Sequence, residues 1–403
     1  MTDAATGPLV GLKVVELAHI MAGPVCGLML ADMGADVIKV EKYPDGDDSR
    51  RMAPPMVKSE SAAFMILNRN KRGTAINLKS EAGKAVLRKI LRTADVVIEN
   101  FRPGTMERLG LGFDSLRQDN PGLIYCDITG FGGTGPYADR AGFDLIAQGI
   151  SGVMGLTGEG PGRPPIKAGV PLGDITAGIL AAMGILAAYI HRLKTGEGQR
   201  VDTSLLEASM VHTAWPSAIY FATGVSPGPL GSAHPISAPY QAIQTADGWV
   251  NIGAANQANW LRLTEVIGMP ELASDSRFVD NATRMKNLPA LIEILTKGFR
   301  ERPTSEWLER LEKAGVPAGP VLSLGEALSN PQVQARRMVV EVNHSSVGRT
   351  RALGTPVKFS KTPTQIRLAA PVLGEHTREI LGEFGYGEAE INQLVTDGDI
   401  IAM

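Results

Sequence analysis

Short runs rich in β-branched residues alternate with helix-length apolar patterns from the start of the chain, and nothing else in the sequence limits the fold as strongly. KVVELA (Lys13–Ala18) reads as a strand, Pro24–Gly34 as a helix and DVIKVE (Asp36–Glu41) as the next strand, judged by strand and helix periodicity. The unit recurs with Thr74–Leu78, the helix Ser80–Thr93 and DVVIE at Asp95–Glu99. Leu123–Thr129 and Gln199–Ser204 add strands, the latter followed by a helix from about Leu205. Strands separated by helices pair in parallel, and runs this apolar are buried on both faces. The expectation is an α/β fold with a doubly wound, mostly parallel, Rossmann-like sheet.

That grammar stops at GVSPGPLGSAHPISAPY (Gly224–Tyr240), which sustains neither period and reads as a linker. Beyond it, Gln241–Thr245 and Trp249–Gly253 flank Ala246-Asp247-Gly248, a hairpin signal, and amphipathic helices continue to about Gly315. After Gly319-Pro320 short strands return, followed by two last helices, the first around Glu375–Phe384. A chain of 403 residues is long enough for more than one core. The expected division is a large α/β domain from 1–223 and 323–403 and a small α+β domain from 224–322.

A net charge of −2 provides no global basic field, so neither nucleic acid nor an anionic membrane surface is an expected partner. Cys26 and Cys126 are the only cysteines, with no CxxC and no Cys/His cluster, which predicts no metal site and a reducing compartment, the cytoplasm. No signal-peptide pattern is read at Met1–Leu9. The uncharged stretch Ile175–Ile190 is shorter than the roughly 18 residues of a membrane span and is read as part of a buried helix running to about Leu193.

Familiar chemical motifs are missing. Between the first strand and helix stand His19-Ile20-Met21-Ala22-Gly23-Pro24 rather than GxGxxG, and the chain has no GxxxxGK[ST], GxSxG or HExxH. What remains is a set of polar residues at strand ends, where open α/β sheets bind ligands: Lys42, the group Lys71, Arg72 and Lys79, and Asn100, Phe101, Arg102 and Arg108. An aromatic beside arginine suits an adenine ring beside a phosphate; surface solvation is the bland alternative for any one cation. Asp174, in Gly173-Asp174-Ile175-Thr176, precedes the apolar helix. As its N-cap it would accept first-turn N–H groups. The same helix end would keep the carboxylate ionised and able to attack a thioester.

ELAHIMAGP (Glu16–Pro24), GADVIKVE (Gly34–Glu41), NRNKR (Asn68–Arg72), DVVIENFRPGTMERLG (Asp95–Gly110), GFGGTGPYADRAGFDLIAQ (Gly130–Gln148), GDITAG (Gly173–Gly178), KTGEGQRVD (Lys194–Asp202), ADGW (Ala246–Trp249), GVPAGPV (Gly315–Val321) and LGEHT (Leu373–Thr377) stand in this order. Together they resemble the class III CoA-transferases, the family that also contains the α-methylacyl-CoA racemases. The resemblance covers nearly the whole chain.

It implies a metal-free enzyme with no tightly bound cofactor, acting on acyl-CoA and a carboxylic acid of small dicarboxylic type. Asp174 takes the position of the aspartyl nucleophile that carries CoA as a thioester, and Asp144 assists. The implied CoA contacts are His19, Met21, Ala22, Lys42, Arg72, Ile76, Asn77, Leu78, Lys79, Asn100, Phe101, Arg102, Arg108, Ala141, Gly142 and Phe143, although Ile76–Leu78 could equally be strand core. The racemase branch would carry histidine before the acid, where this chain has Phe143-Asp144, so proton exchange between two bases lacks a partner. The oxalate-specific members carry a glycine-run loop where this chain has Gly231–Ile236, with His234 as a candidate pocket residue. Family architecture implies two open rings interlocked as a homodimer, with the active site between protomers, against the usual rule that chains do not thread.

Overall fold

A computed structural model describes residues 6–403. Its strands are β1 (Lys13–Glu16), β2 (Asp36–Lys42), the short pair β3 (Met56–Val57) and β4 (Glu60–Ser61), β5 (Lys71–Ile76), β6 (Val96–Glu99), β7 (Ile124–Thr129), β8 (Arg200–Ser204), β9 (Tyr240–Gln244), β10 (Trp249–Gly253), β11 (Ala318–Pro320), β12 (Val339–His344), β13 (Gly348–Leu353) and β14 (Ile400–Ile401). The chain divides into two compact units. One comprises the chain up to Val153, Lys167–Thr213 and Pro331–Met403; the other comprises Met154–Ile166 and Ala214–Asn330.

The first unit carries a seven-stranded sheet in the order β14-β5-β2-β1-β6-β7-β8. Its pairings are parallel except for β14, which runs antiparallel along β5. The large parallel-dominated sheet of a mixed α/β fold is therefore present. Consecutive residues of one strand feed opposite layers. Val14 packs with the helices Ala22–Asp32 and Leu172–Thr195, whereas Val15 joins the helices Glu81–Leu91, Thr377–Glu383 and Glu388–Thr396. From β1 the chain builds outward through β2 and β5, then crosses back to β6, β7 and β8. The loops after β1 and β6 consequently diverge, leaving a crevice at the carboxyl ends of the strands.

The helix Leu172–Thr195 differs from its expected buried character. It has 24 residues and is long and apolar enough to cross a membrane by length and composition. One stripe, Gly173, Ala177, Gly178, Ala181, Ala182, Ile185 and Ala188, is buried, while Met183 is 61% and Leu193 68% exposed. Small residues face inward because the helix Ala22–Asp32 lies so close that a Cβ on Gly178 would stand 2.6 Å from the Ala22 carbonyl oxygen. Large apolar side chains are left on the outer face.

In the second unit β9 and β10 form the expected antiparallel hairpin, Trp249 opposite Gln244, and β11 extends the sheet. Trp260, Phe278, Phe299 and Trp307 fill its core. His234 belongs to this unit, where its ring packs on Tyr240 at 5.1 Å between centroids and its Nδ1 accepts the Ile236 N–H.

Candidate active site

The two loops at the switch point are fastened to each other. Asn100, just past β6, accepts the His19 N–H at 2.9 Å through Oδ1 and donates Nδ2–H to the His19 carbonyl at 2.8 Å. The rings of His19 and Phe101 lie 5.6 Å apart. Ile20 adopts φ +68°, strained for a β-branched residue, and its N–H donates to Asp47 Oδ1 at 3.0 Å. Behind the loop a buried ionic cluster supplies the restraint. Lys39 bridges Glu16 at 3.0 Å and Asp47 at 2.9 Å, and Lys71 meets the other oxygen of Glu16 at 2.7 Å. Burial opposes the charge on Lys39, but Glu16 and Asp47 outweigh it and hold its affinity for the proton above the ordinary lysine range. Burial drives Lys71 the other way, down to about 8.

The helix Ala22–Asp32 starts from this fixed loop without a side-chain cap; Pro24 has no N–H and the Val25 N–H goes to the Met21 carbonyl at 2.8 Å, so the Ala22 and Gly23 N–H groups lack intrahelical partners. Gly23 allows the close entry: a Cβ there would sit 2.1 Å from that of Ala18. The crevice encloses a cavity of about 420 Å³ lined by His19–Ala22, Asn100–Pro103, Thr105, Ile128–Gly130, Arg140–Phe143, Asp174 and Leu205. Residues far apart in sequence, Met21, Asn100, Ala141 and Asp174 among them, thus line one cavity.

Asp174 is not the N-cap of its helix. The cap position falls to Pro171, which has no side-chain cap bond, and Asp174 stands in the first turn. Asp144, first residue of the helix Asp144–Ile150, does the capping from across the site: its Oδ1 accepts N–H from Gly173 at 2.7 Å and Asp174 at 3.3 Å. The carboxylate of Asp174 is half-buried. Burial first, then the negative charge of Asp144, push its pKa up to about 6. The helix end was expected to favour the charged form; these two effects outweigh it. At neutral pH the group remains mostly ionised, but as a more basic carboxylate than usual.

The other candidates separate by position. Lys42 and Leu78 line a cleft of about 60 Å³ that shares His19 and Phe101 with the main cavity. Asn77 and Lys79 form the turn after β5, with Asn77 Oδ1 accepting the Lys79 N–H. Arg108 donates to Thr105 Oγ1 at 2.9 Å on the cavity rim, and Ile76 is wholly core. Arg72 is not brought to this mouth. It sits at the opposite, starting end of β5, paired with Asp36, Glu379 and Glu383. Lys71, also grouped with the strand-end cations, is committed to Glu16, the Pro24 carbonyl and Asn68. Arg140 lines the cavity and was not singled out by its sequence position; its guanidinium lies 3.7 Å from the ring centre of Tyr137. Among the described residues no group of three or more His, Cys, Asp or Glu is arranged to hold a metal.

A family model described as CoA-transferase family III matches residues 9–377. The chain belongs to this family. The enzyme thus transfers coenzyme A, and its relatives agree. It is 42% identical over 382 residues to the succinate–glutarate CoA-transferase of Agrobacterium fabrum, covering 93% of this chain and 95% of that protein. It is 37% identical over 394 residues to the succinyl-CoA:glutarate CoA-transferase of Mus musculus, covering 98% and 90%. Among solved structures, a CAIB/BAIF family protein from Brucella suis superposes on this family III CoA-transferase with a TM-score of 0.84 at 42% identity, covering 94% of this chain and 100% of that one.

Proposed function

We propose that the enzyme moves CoA from an acyl-CoA donor, succinyl-CoA foremost, to a small dicarboxylic acid such as glutarate, with Asp174 as the covalent carrier. The observation that carries this reading is the Asp174 carboxylate in the wall of a cavity whose other walls are an uncapped helix start, Asn100–Arg102 and Arg140–Phe143. A CoA arm lying over Met21 and Ala22 would set its phosphates near unpaired N–H groups and Arg102, with Lys42, Leu78 and the Asn77–Lys79 turn beyond His19 and Phe101.

An oxygen of Asp174 attacks the donor carbonyl, and the C–S bond breaks to give an anhydride and CoA thiolate. The thiolate attacks the Asp174 carbonyl; the donor acid leaves as its carboxylate and an aspartyl-CoA thioester remains. The acceptor carboxylate then attacks that thioester, expelling the thiolate, which attacks the acceptor carbonyl and frees Asp174. Each step exchanges one carboxylate or thiolate for another, so charge balances without ATP. Phe143, where a base would be needed for α-proton exchange, favours transfer over racemisation. The outer apolar face of the helix Leu172–Thr195 supports a homodimer, interlocked as in the resemblance.

Asp174→Ala is expected to lower transfer by about 10⁴-fold or more while CoA still binds. Wild-type enzyme given succinyl-CoA and hydroxylamine is expected to yield Asp174 hydroxamate by mass spectrometry. Full turnover by the alanine variant, or an active enzyme that never forms the adduct, would refute the assignment.

A further inference from the structure

The acid that caps the nucleophile's helix is itself held by a buried amide. Gln148, 0% exposed, donates Nε2–H to Asp144 Oδ2 at 2.6 Å and reaches the Val170 carbonyl at 3.4 Å. Its Oε1 accepts the Ala168 N–H at 2.9 Å. Asp144 in turn receives Gly173 and Asp174 through its other oxygen. The bonds close a ring from the helix Asp144–Ile150, through Gln148, to the loop Ala168–Val170 and on to the start of the helix that carries Asp174. Space for the ring is tight: a Cβ on Gly173 would stand 2.7 Å from Ser209 Oγ and 3.1 Å from Asp144 Oδ1.

We propose that Gln148 is a positioning residue for CoA transfer: through Asp144 it fixes both the orientation of the nucleophile and the negative charge beside it. The inference rests on Asp174 being the nucleophile. The Gln148 amide and the Gly173 and Asp174 N–H groups all donate to the Asp144 carboxylate, whose negative charge faces Asp174. That constant charge matters because Asp174 loses its own charge each time it is acylated and regains it on release. A fixed like charge raises the free energy of the free carboxylate relative to the acylated forms, which favours its attack on the donor thioester. A side chain that only filled the core would not hold Asp144 in this place.

The test compares Gln148→Leu, Gln148→Glu, Asp144→Asn and the double variant Asp144→Asn/Gln148→Leu. For each, kcat, the KM for succinyl-CoA, the pH profile and the single-turnover rate of Asp174 hydroxamate formation are measured per folded molecule. Gln148→Leu is expected to lower kcat and labelling roughly 10- to 100-fold with little change in KM, and to displace the acid limb of the pH profile because Asp144 is no longer held beside Asp174. Gln148→Glu keeps the shape but can donate to Asp144 only when protonated, so its activity relative to wild type should recover as pH falls. In the Asp144→Asn background, Gln148→Leu should add little further loss. A Gln148→Leu variant that melts earlier but keeps the wild-type profile and labelling rate would overturn the proposal, as would additive losses in the double variant. Should the leucine variants not fold, Gln148→Glu without recovery at low pH overturns it alone. A wild-type enzyme that gives no Asp174 adduct would instead remove the nucleophile reading.

Discussion

Asp174 is a carboxylate placed where its charge is costly, by burial and by Asp144, and the reactivity proposed for it follows from that cost. On the proposed mechanism only the ionised form attacks, so activity is expected to rise with pH through about 6 and level off above it. Asp144→Asn removes the like charge, which should move the midpoint of that limb to lower pH even as kcat falls; a pH series of kcat/KM for the two proteins checks it. The stability sign is opposite. A folded-state pKa above the ordinary value means stability present in acid and lost as pH rises through about 6. At pH 7 Asp174→Asn should therefore melt a few degrees above wild type while transferring nothing, measurable by calorimetry. GDITAG placed Asp174 at the start of its helix, but the capping expected of it fell to Asp144, which precedes Gly173 by 29 residues in sequence. No local pattern contains a contact of that range.

The elements that form the crevice were legible because strand and helix periods alternate cleanly around Val14, Val37, Val97 and Ile124. Features set by tertiary contact were not. β14 has two residues, too few for any period, and exists through its pairing with Ile76 and Ala75. In the helix Leu172–Thr195 the buried stripe is mostly small residues with Ile185, and the exposed one carries most of the large apolar residues, so hydrophobicity alone could not separate them. Flanking charge likewise failed to distinguish Lys42, at the carboxyl end of its strand, from Arg72 near the start of its own. Charges inside the sheet bring a further consequence. Glu99 stands opposite Asp127 in register, accepts the Phe101 N–H at 2.7 Å and receives the Tyr125 hydroxyl at 3.4 Å, while Arg200 takes Asp127. Burial and Asp127 push Glu99 up to about 8. Its contribution to stability is whole below about 4.5 and is lost as pH climbs from there through about 8. Glu99→Gln keeps the shape without the titration, so its melting temperature should decline less than that of wild type between pH 6 and about 9. Equal slopes would show that another group governs the decline. Nearer the cavity, Asn100→Ala removes the clasp on His19 and should raise the KM for acyl-CoA about tenfold, with kcat changed less.

At the scale of the molecule the outward stripe of the helix Leu172–Thr195 is the outstanding surface: Ile175, Ile179, Met183, Ile190 and Leu193 are exposed along it. Leu145, Ile146 and Ile150 on one nearby element of the unit, and Met210 and Val211 on another, are exposed as well. Covering a large apolar side chain is worth roughly 1.5–3 kcal/mol, so a second copy seated here would gain far more than isolated surface residues allow. Asp174 lies on the same helix, so under the proposed mechanism assembly and activity should be coupled. The double substitution Ile179→Glu/Met183→Glu should yield monomer or aggregate by light scattering, with transfer reduced at least about tenfold. Wild type should be dimeric. Interlocking makes a sharper demand than dimerisation, because two threaded rings cannot separate unless one unfolds, whereas an ordinary dimer dissociates by mass action. Diluted to nanomolar concentration, an interlocked enzyme should keep full specific activity for hours, and mixing two differently tagged preparations should give no mixed dimer until both are denatured and refolded together. Rapid subunit exchange under native conditions would rule out threading while leaving the apolar interface in place.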